Sequence, residues 1–362
     1  MLDILSKISY KMNVKLSDFK IVPLLDSIKR ADISDELYFS EKYRNYISNS
    51  RLKYISPKDG GSPEQYRNPP HFSTQSLKVG SGVHCMLLQP ESFTLAPKMG
   101  RPTAKLGDVV EKVYNYEKEG MDRIEAIRRA CNEVQYYVNQ IDRKIPMIIE
   151  KGTPYWEALD QPRSKAENKE EIFLSDADYD IVDGCLKSCY NNKELIDKLH
   201  PTDTFGDPVE SYNEIAFFID FLVTYKGRKC CTLKFKMKAD NYTVDTFDKK
   251  LVLNDLKTTG HPVTWFMNSE YGSLVKYSYY QQLGLYLWVL QLYCSKKYGA
   301  TKETGWTSEA NFLVVQTFGT FDCACYNLNS RWLSRGLKRG QDLLKRVAAY
   351  EMFGWKTEIN FE

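Results

Sequence analysis

Three apolar runs follow one another between Asn213 and Thr258: NEIAFFIDFLVTY, CCTLKFKMKAD and KLVLNDLKT, joined by the turn signals KGR and NYTVDTFDK. Their aromatic and β-branched content predicts an antiparallel three-stranded meander. That arrangement puts Asp240 at the end of the second strand, and Asp255 and Lys257 together on the third. Residues two apart on a strand project to one face, so the carboxylate of Asp255 and the ammonium of Lys257 converge on one pocket. Glu214 opens the first strand and is a candidate for a further oxygen ligand. Hard divalent cations such as magnesium need only one or two such carboxylates as protein support.

Composition bounds the rest without deciding it. In 362 residues, 43% hydrophobic and 27% charged, there is apolar material for one large domain or two ordinary ones. A formal net charge of +3 neither requires nor excludes a polyanionic partner, because a basic patch can be confined to one groove. The opening MLDILSKISYKMNVKLSDFK mixes Lys and Asp with apolar residues, unlike a secretory segment, so the nine cysteines are expected to be ordinary thiols in the cytoplasm. Their spacings form no zinc or cluster framework. The longest apolar run, LGLYLWVLQLYC, is shorter than the roughly 20 residues of a membrane helix, and no membrane association is expected.

Along the chain, residues 1–45 carry short amphipathic patterns broken by Pro23 and are read as an N-terminal extension. A mainly helical region follows over 46–200, and the core occupies 201–362 beyond the turn-rich LHPTDTFGDPVES, with 46–362 expected as one compact unit. Helices are predicted from Ser73 or Thr74 to just before Pro90, over 104–118, over 122–142, and from an N-cap at Ser175. The first contains His84 beside the small residues Gly80, Ser81 and Gly82. The basic loop KMGRPTAKLG is read as solvated. After the meander, a helix over 273–298 aligns Tyr279, Gln282, Tyr286 and Val289, two more strands follow, and a basic amphipathic helix closes a βββαββα order.

Taken in this order, ISNSRLKYI, GSGVHCMLLQPESF with His84, KADNY with Asp240, NDLKTT with Asp255 and Lys257, and YYQQLGLY with Gln282 and Tyr286 resemble the PD-(D/E)XK nuclease superfamily. Within it, the likeness is to the RecE-like, exonuclease VIII-type enzymes of phages, over roughly residues 46–295. The resemblance implies an α/β (mixed α+β) fold with a restriction-endonuclease-like core. Its central mixed sheet would be built from the meander plus a helix and further strands, flanked by N-terminal helices.

It also implies magnesium-dependent hydrolysis of DNA phosphodiester bonds, with manganese as a substitute. The expected action is 5′ to 3′ resection of linear double-stranded DNA for phage-type recombination or replication, in the cytoplasm of a host cell. A structure- or sequence-specific endonuclease, or a non-catalytic DNA-binding scaffold, would be the alternatives on the same fold. His84, Asp240 and Asp255 would surround the metal, with Lys257 as the catalytic lysine. Gln282 and Tyr286 would line the site and approach DNA. Asp245 or Asp248 would replace Asp240 if the second strand ended elsewhere. The expected partners are DNA with free ends, a single-strand annealing protein, and further copies of the chain in a ring.

Overall fold

The structure, a computed structural model, describes residues 11–70, 75–160 and 169–362. In chain order they form β1 (Lys11–Val14), β2 (Phe19–Ala31), α1 (Asp35–Phe39), α2 (Asn49–Lys53), α3 (Pro63–Arg67), α4 (Gln75–Leu88), β3 (Phe93–Leu95), α5 (Ala104–Lys118), α6 (Arg123–Val134), α7 (Ile141–Asp160), β4 (Glu170–Ile172), α8 (Asp176–Asn191) and α9 (Lys193–Leu199). Then come β5 (Glu210–Tyr225), β6 (Arg228–Asp245), β7 (Lys250–Thr259), α10 (Ser273–Lys276), α11 (Tyr279–Tyr298), β8 (Thr307–Gln316), β9 (Cys323–Asn327), α12 (Ser330–Phe353) and β10 (Glu358–Phe361). These residues divide into two compact units, 11–70 with 192–315 and 323–362 in the first, and 75–160 with 169–191 and 316–322 in the second.

The first unit is built on a mixed six-stranded sheet in the order β2-β5-β6-β7-β8-β9. The meander is its centre, with β5, β6 and β7 antiparallel. Between β5 and β6 the turn residues Lys226 and Gly227 both have positive φ, 48° and 78°, as a two-residue turn matched to strand twist requires. The second connection differs from the expectation. β6 does not stop at Asp240 but runs to Asp245, and the polar NYTV stretch that looked like a turn is strand. It can be strand because Asn241 and Thr243, both buried, lie inside the sheet with Asn241 hydrogen-bonded across it. Asp245 and Asp248 instead shape the hairpin turn, Asp245 accepting from the Phe247 and Asp248 amides.

Part of the N-terminal 45 residues enters this sheet: β2 pairs with β5 and forms its edge. Pro23 is tolerated there because an edge strand needs hydrogen-bond donors on one side only. The register shifts between Leu24 and Lys29, where the Ser27 hydroxyl takes the Asp220 amide. Ile47 bridges β6 at Phe235, accepting from Lys236 and donating to Lys234. This bridge holds α2 beside the sheet.

Helix α11 is apolar on most sides and buried, as expected of a helix enclosed by other elements. It packs on the sheet core of Phe217, Phe235 and Met237 and is crossed by α12. The two helices meet almost backbone to backbone: a Cβ on Gly336 would lie 1.9 Å from the Tyr280 carbonyl oxygen. The single helix expected over 273–298 breaks at Ser278, which is buried at φ 54° and turns its hydroxyl to Asp59. The basic face of α12 is partly spent inside the fold. Arg339 donates to Gln281, Ser56 and Asp59 at 2.8, 2.8 and 2.9 Å.

In the second unit α5, α6 and α7 enclose Val109, Val113, Ile127, Ala130, Ile148 and Trp156. The helix expected over 122–142 ends at Val134, where Gln135 turns left-handed at φ 55°, and α7 begins at Ile141. Ser175 caps α8 as predicted, its hydroxyl accepting from the Asp178 amide at 3.1 Å. Arg101, read as solvated, is buried and paired with Asp108 at 2.9 Å and Glu111 at 2.8 Å. The predicted helix start at Ser73 or Thr74 lies outside the described residues.

Candidate active site

The register of the meander aligns three carboxylates. Asn213 faces Asn241 and Ile215 faces Ala239, so Glu214 stands opposite Asp240. On the other side Asn241 faces Asn254, and one further step along both strands brings Asp255 level with Asp240. There the backbone ladder is replaced by a side chain: the Asp240 carboxylate accepts from the Leu256 amide at 2.8 Å. The strands part at the point where the acids face one another. Carboxylate oxygens of Glu214 and Asp240 lie within 4.8 Å of each other.

Glu214 has φ 53°, unusual for a residue with a Cβ. Its carboxylate also pairs with Lys238 at 3.2 Å, and Lys238 in turn reaches Asp35 at 2.6 Å. The left-handed backbone thus falls on a residue of the carboxylate row and within a partly buried ion-pair chain.

Asp255 is 1% exposed. One oxygen accepts from the Gln282 amide at 2.8 Å and the other is ion-paired with Lys257. Burial pulls the Lys257 pKa down, but the charges of Asp255 and Asp240 outweigh it, leaving this lysine above its ordinary value and firmly protonated. The carboxylate and the ammonium compensate one another's desolvation, which neither could bear alone. Tyr286, one turn beyond Gln282 on α11, is buried, and its pKa is raised first by that burial and then by Tyr38, Asp255, Asp240 and Glu214.

Lys53 on α2 is a further cation at this place. Its pKa is lowered by burial and next by the Lys257 ammonium. Both lysines lie over the ring of Tyr279, Lys53 at 5.4 Å and Lys257 at 5.3 Å from its centroid.

On the opposite face of the same strands runs a second row. Asn327 donates to Asn311 at 3.0 Å, Asn311 to Asn254 at 2.9 Å, Asn254 to Asn241 at 2.7 Å, and Asn241 to Asn213 at 2.7 Å. Five strands are joined by a chain of side-chain amides. Asn254 also donates to the Lys198 carbonyl at 2.8 Å, tying the row to α9.

No protein-family model matches the chain, and no curated protein matches it. Among solved structures, one from Eubacterium rectale described as "Putative exonuclease" is similar over 91% of this chain and 89% of its own, with 11% identity and a TM-score of 0.43.

Of the residues singled out in the sequence, the first unit brings together Glu214, Asp240, Asp255, Lys257 and Gln282, with Tyr286 buried one turn away. His84 lies on α4 of the second unit, half-buried. The oxygen donors of Glu214, Asp240 and Asp255 suit a hard divalent cation, to which carboxylate oxygens are the natural ligands. Lys53 was missed because its place is set by the Ile47 bridge. The asparagine row had a visible sign: each acid has an Asn beside it, in Asn213-Glu214, Asp240-Asn241 and Asn254-Asp255.

Proposed function

We propose that the chain is a metal-dependent deoxyribonuclease that hydrolyses DNA phosphodiester bonds, acting as an exonuclease that resects linear double-stranded DNA 5′ to 3′ in phage-type recombination or replication. The observation that carries the reading is the row Glu214, Asp240 and Asp255 with Lys257 anchored on its last member. The residue pattern that resembles the PD-(D/E)XK nucleases supports it.

Asp240 and Asp255 would hold magnesium, or manganese in its place, with Glu214 beside them. His84 keeps the ligand role that the sequence resemblance assigns it. Such a cation supplies Lewis-acid stabilisation of the charge on a phosphodiester. Lys257, kept protonated by Asp255 and Asp240, offers a fixed positive charge to phosphate oxygens that gain charge during hydrolysis. Gln282 holds Asp255 in one rotamer, so its carboxylate needs no reorganisation when substrate arrives. Lys53 adds a second ammonium for the phosphate backbone. In this reading the partners are DNA with free ends, a single-strand annealing protein and further copies of the chain in a ring, and the place of action is the host-cell cytoplasm.

The test uses end-labelled linear duplex and covalently closed circles, with and without magnesium. Wild type should release mononucleotides from ends only, and only with the metal. Asp255→Ala and Lys257→Ala should abolish release. Cleavage of closed circles would replace the exonuclease by an endonuclease, and full activity in either variant would overturn the reading.

A further inference from the structure

The segment between β7 and α11 buries one aromatic residue and exposes the next. Phe266 is 2% exposed and stacks near-parallel on Tyr279 and Tyr326, at 6.0 and 5.9 Å between centroids. Its neighbour Trp265 is 47% exposed and Tyr271 55%. These two rings meet edge to face at 5.5 Å, and exposed His261 stacks on Trp265 at 5.9 Å and 22°. With Phe266 and Val263 providing the anchorage, the exposed rings are not needed for the core.

Nor is the segment loosely held. The Tyr326 hydroxyl donates to the Val263 carbonyl at 2.8 Å, the Asn268 side chain accepts from the Glu270 and Tyr271 amides, and Leu274 donates to the Phe266 carbonyl. At Gly272 an added Cβ would lie 2.5 Å from the Asn268 carbonyl oxygen, so the turn closes too tightly for a side chain. A fixed turn therefore presents a cluster of aromatic rings to solvent, which is costly unless something covers it.

The cluster follows the candidate active site along the chain and is joined to it through Phe266, which stacks on Tyr279. β7 carries Asp255 and Lys257 and ends at Thr259, whose hydroxyl accepts from the His261 amide at 3.1 Å. The half-exposed Tyr277 ring packs on Tyr279 at 5.5 Å, and Tyr279 lies against the Lys257 and Lys53 ammoniums. From Gly260 to Ser278 the charged residues are one Glu and one Lys, so the segment carries no net formal charge. Exposed flat rings on the segment that follows the strand of Lys257 match a nucleobase beside its own phosphate.

We propose that His261, Trp265 and Tyr271 form a stacking subsite for an unpaired nucleobase of the DNA strand whose phosphate lies at Asp255 and Lys257. The proposal rests on the nuclease reading for what the neighbouring site does, but the base contact is tested without hydrolysis. Single-stranded DNA is then held through its unstacked bases, and duplex ends are held only where they fray. The contact is sequence-tolerant, since every base has a π-face.

The test is equilibrium binding of oligodeoxynucleotides carrying 2-aminopurine, in chelator, to the full chain. Wild type should quench the fluorophore and bind single strands. Trp265→Ala should weaken that binding by about tenfold and abolish the quench, and Trp265→Phe should restore most of both. The exposed pair Phe205 and Phe247, on two other turns, serves as the control for exposed aromatics in general: Phe205→Ala should leave single-strand affinity within about twofold of wild type. Circular dichroism checks that Trp265→Ala folds. Unchanged affinity and quench in folded Trp265→Ala, or no binding of single strands by wild type, would overturn the proposal and leave the cluster as a contact for protein. Trp265-dependent binding with no magnesium-dependent hydrolysis would keep the subsite and remove the nuclease reading.

Discussion

Asn254 and Asp255 are successive residues of β7 whose side chains leave the sheet on opposite faces, Asn254 into the amide row at 2.7 Å from Asn241 and Asp255 to Gln282 at 2.8 Å. A one-residue slip of β7 would exchange them, burying a carboxylate among amides and removing it from Asp240 and Gln282. The amide row is therefore the register lock for the carboxylate row.

Breaking that lock in the middle should cost far more than at its end. Asn254→Leu strands the Lys198 carbonyl, the Asn241 oxygen and the Asn311 amide, for a loss of about 3 kcal/mol or more. Asn327→Ala, at the exposed end, should cost about 1 kcal/mol. Urea denaturation of both variants measures this, and equal losses would mean that the row does not act as a unit.

The Asp255–Lys257 pair predicts a non-additive cycle. Lys257→Met leaves a buried carboxylate uncompensated and should destabilise by about 3 kcal/mol, whereas Asp255→Asn combined with Lys257→Met should recover most of that loss. The double variant must remain inactive. Denaturation midpoints of the four proteins close the cycle, and simple additivity would refute mutual compensation.

Metal binding should appear as stability before it appears as activity. Millimolar magnesium or manganese should raise the melting temperature of wild type, since a ligand specific to the folded state stabilises it by mass action. Asp240→Asn should remove most of the rise, and chelator all of it. A shift of the same size in Asp240→Asn would place the cation elsewhere.

Lys236 gives a pH prediction. It is buried, donates to the Tyr38 carbonyl at 2.7 Å, and burial, followed by the Arg51 charge, holds its pKa down at about 8. Between about 8 and the ordinary 10.5 the unfolded chain binds the extra proton, so this lysine makes stability rise with pH across that window. Below the window the depressed pKa is a constant penalty on the folded state. The stability of Lys236→Met relative to wild type should therefore be greatest near neutral pH and shrink towards pH 10.5. A difference that does not change with pH would show that Lys236 is not depressed.

Asp255, Lys257 and Gln282 were legible in the sequence because short-range periodicity carries them: two residues on a strand, and a polar residue on an apolar helix. Asp240 was found, but its setting was misread. Polar residues after it signal a turn in isolation, and only the amide row lets them remain strand. β2 was hidden for a similar reason, since Pro23 argues against a strand until that strand is seen at the edge.

The sequence by itself determined the meander, the helices that cover it, and which side chains share a face, because alternation along a strand and the 3.6-residue turn of a helix are local properties of the backbone. Tertiary structure alone decided that Glu214, Asp240 and Asp255 stand level, that Lys53 and Lys257 share the ring of Tyr279, and that Trp265 is left outside when Phe266 goes in. Each depends on the register between strands or on packing between segments far apart in the chain, and both follow from satisfying buried amides and filling space across the whole unit.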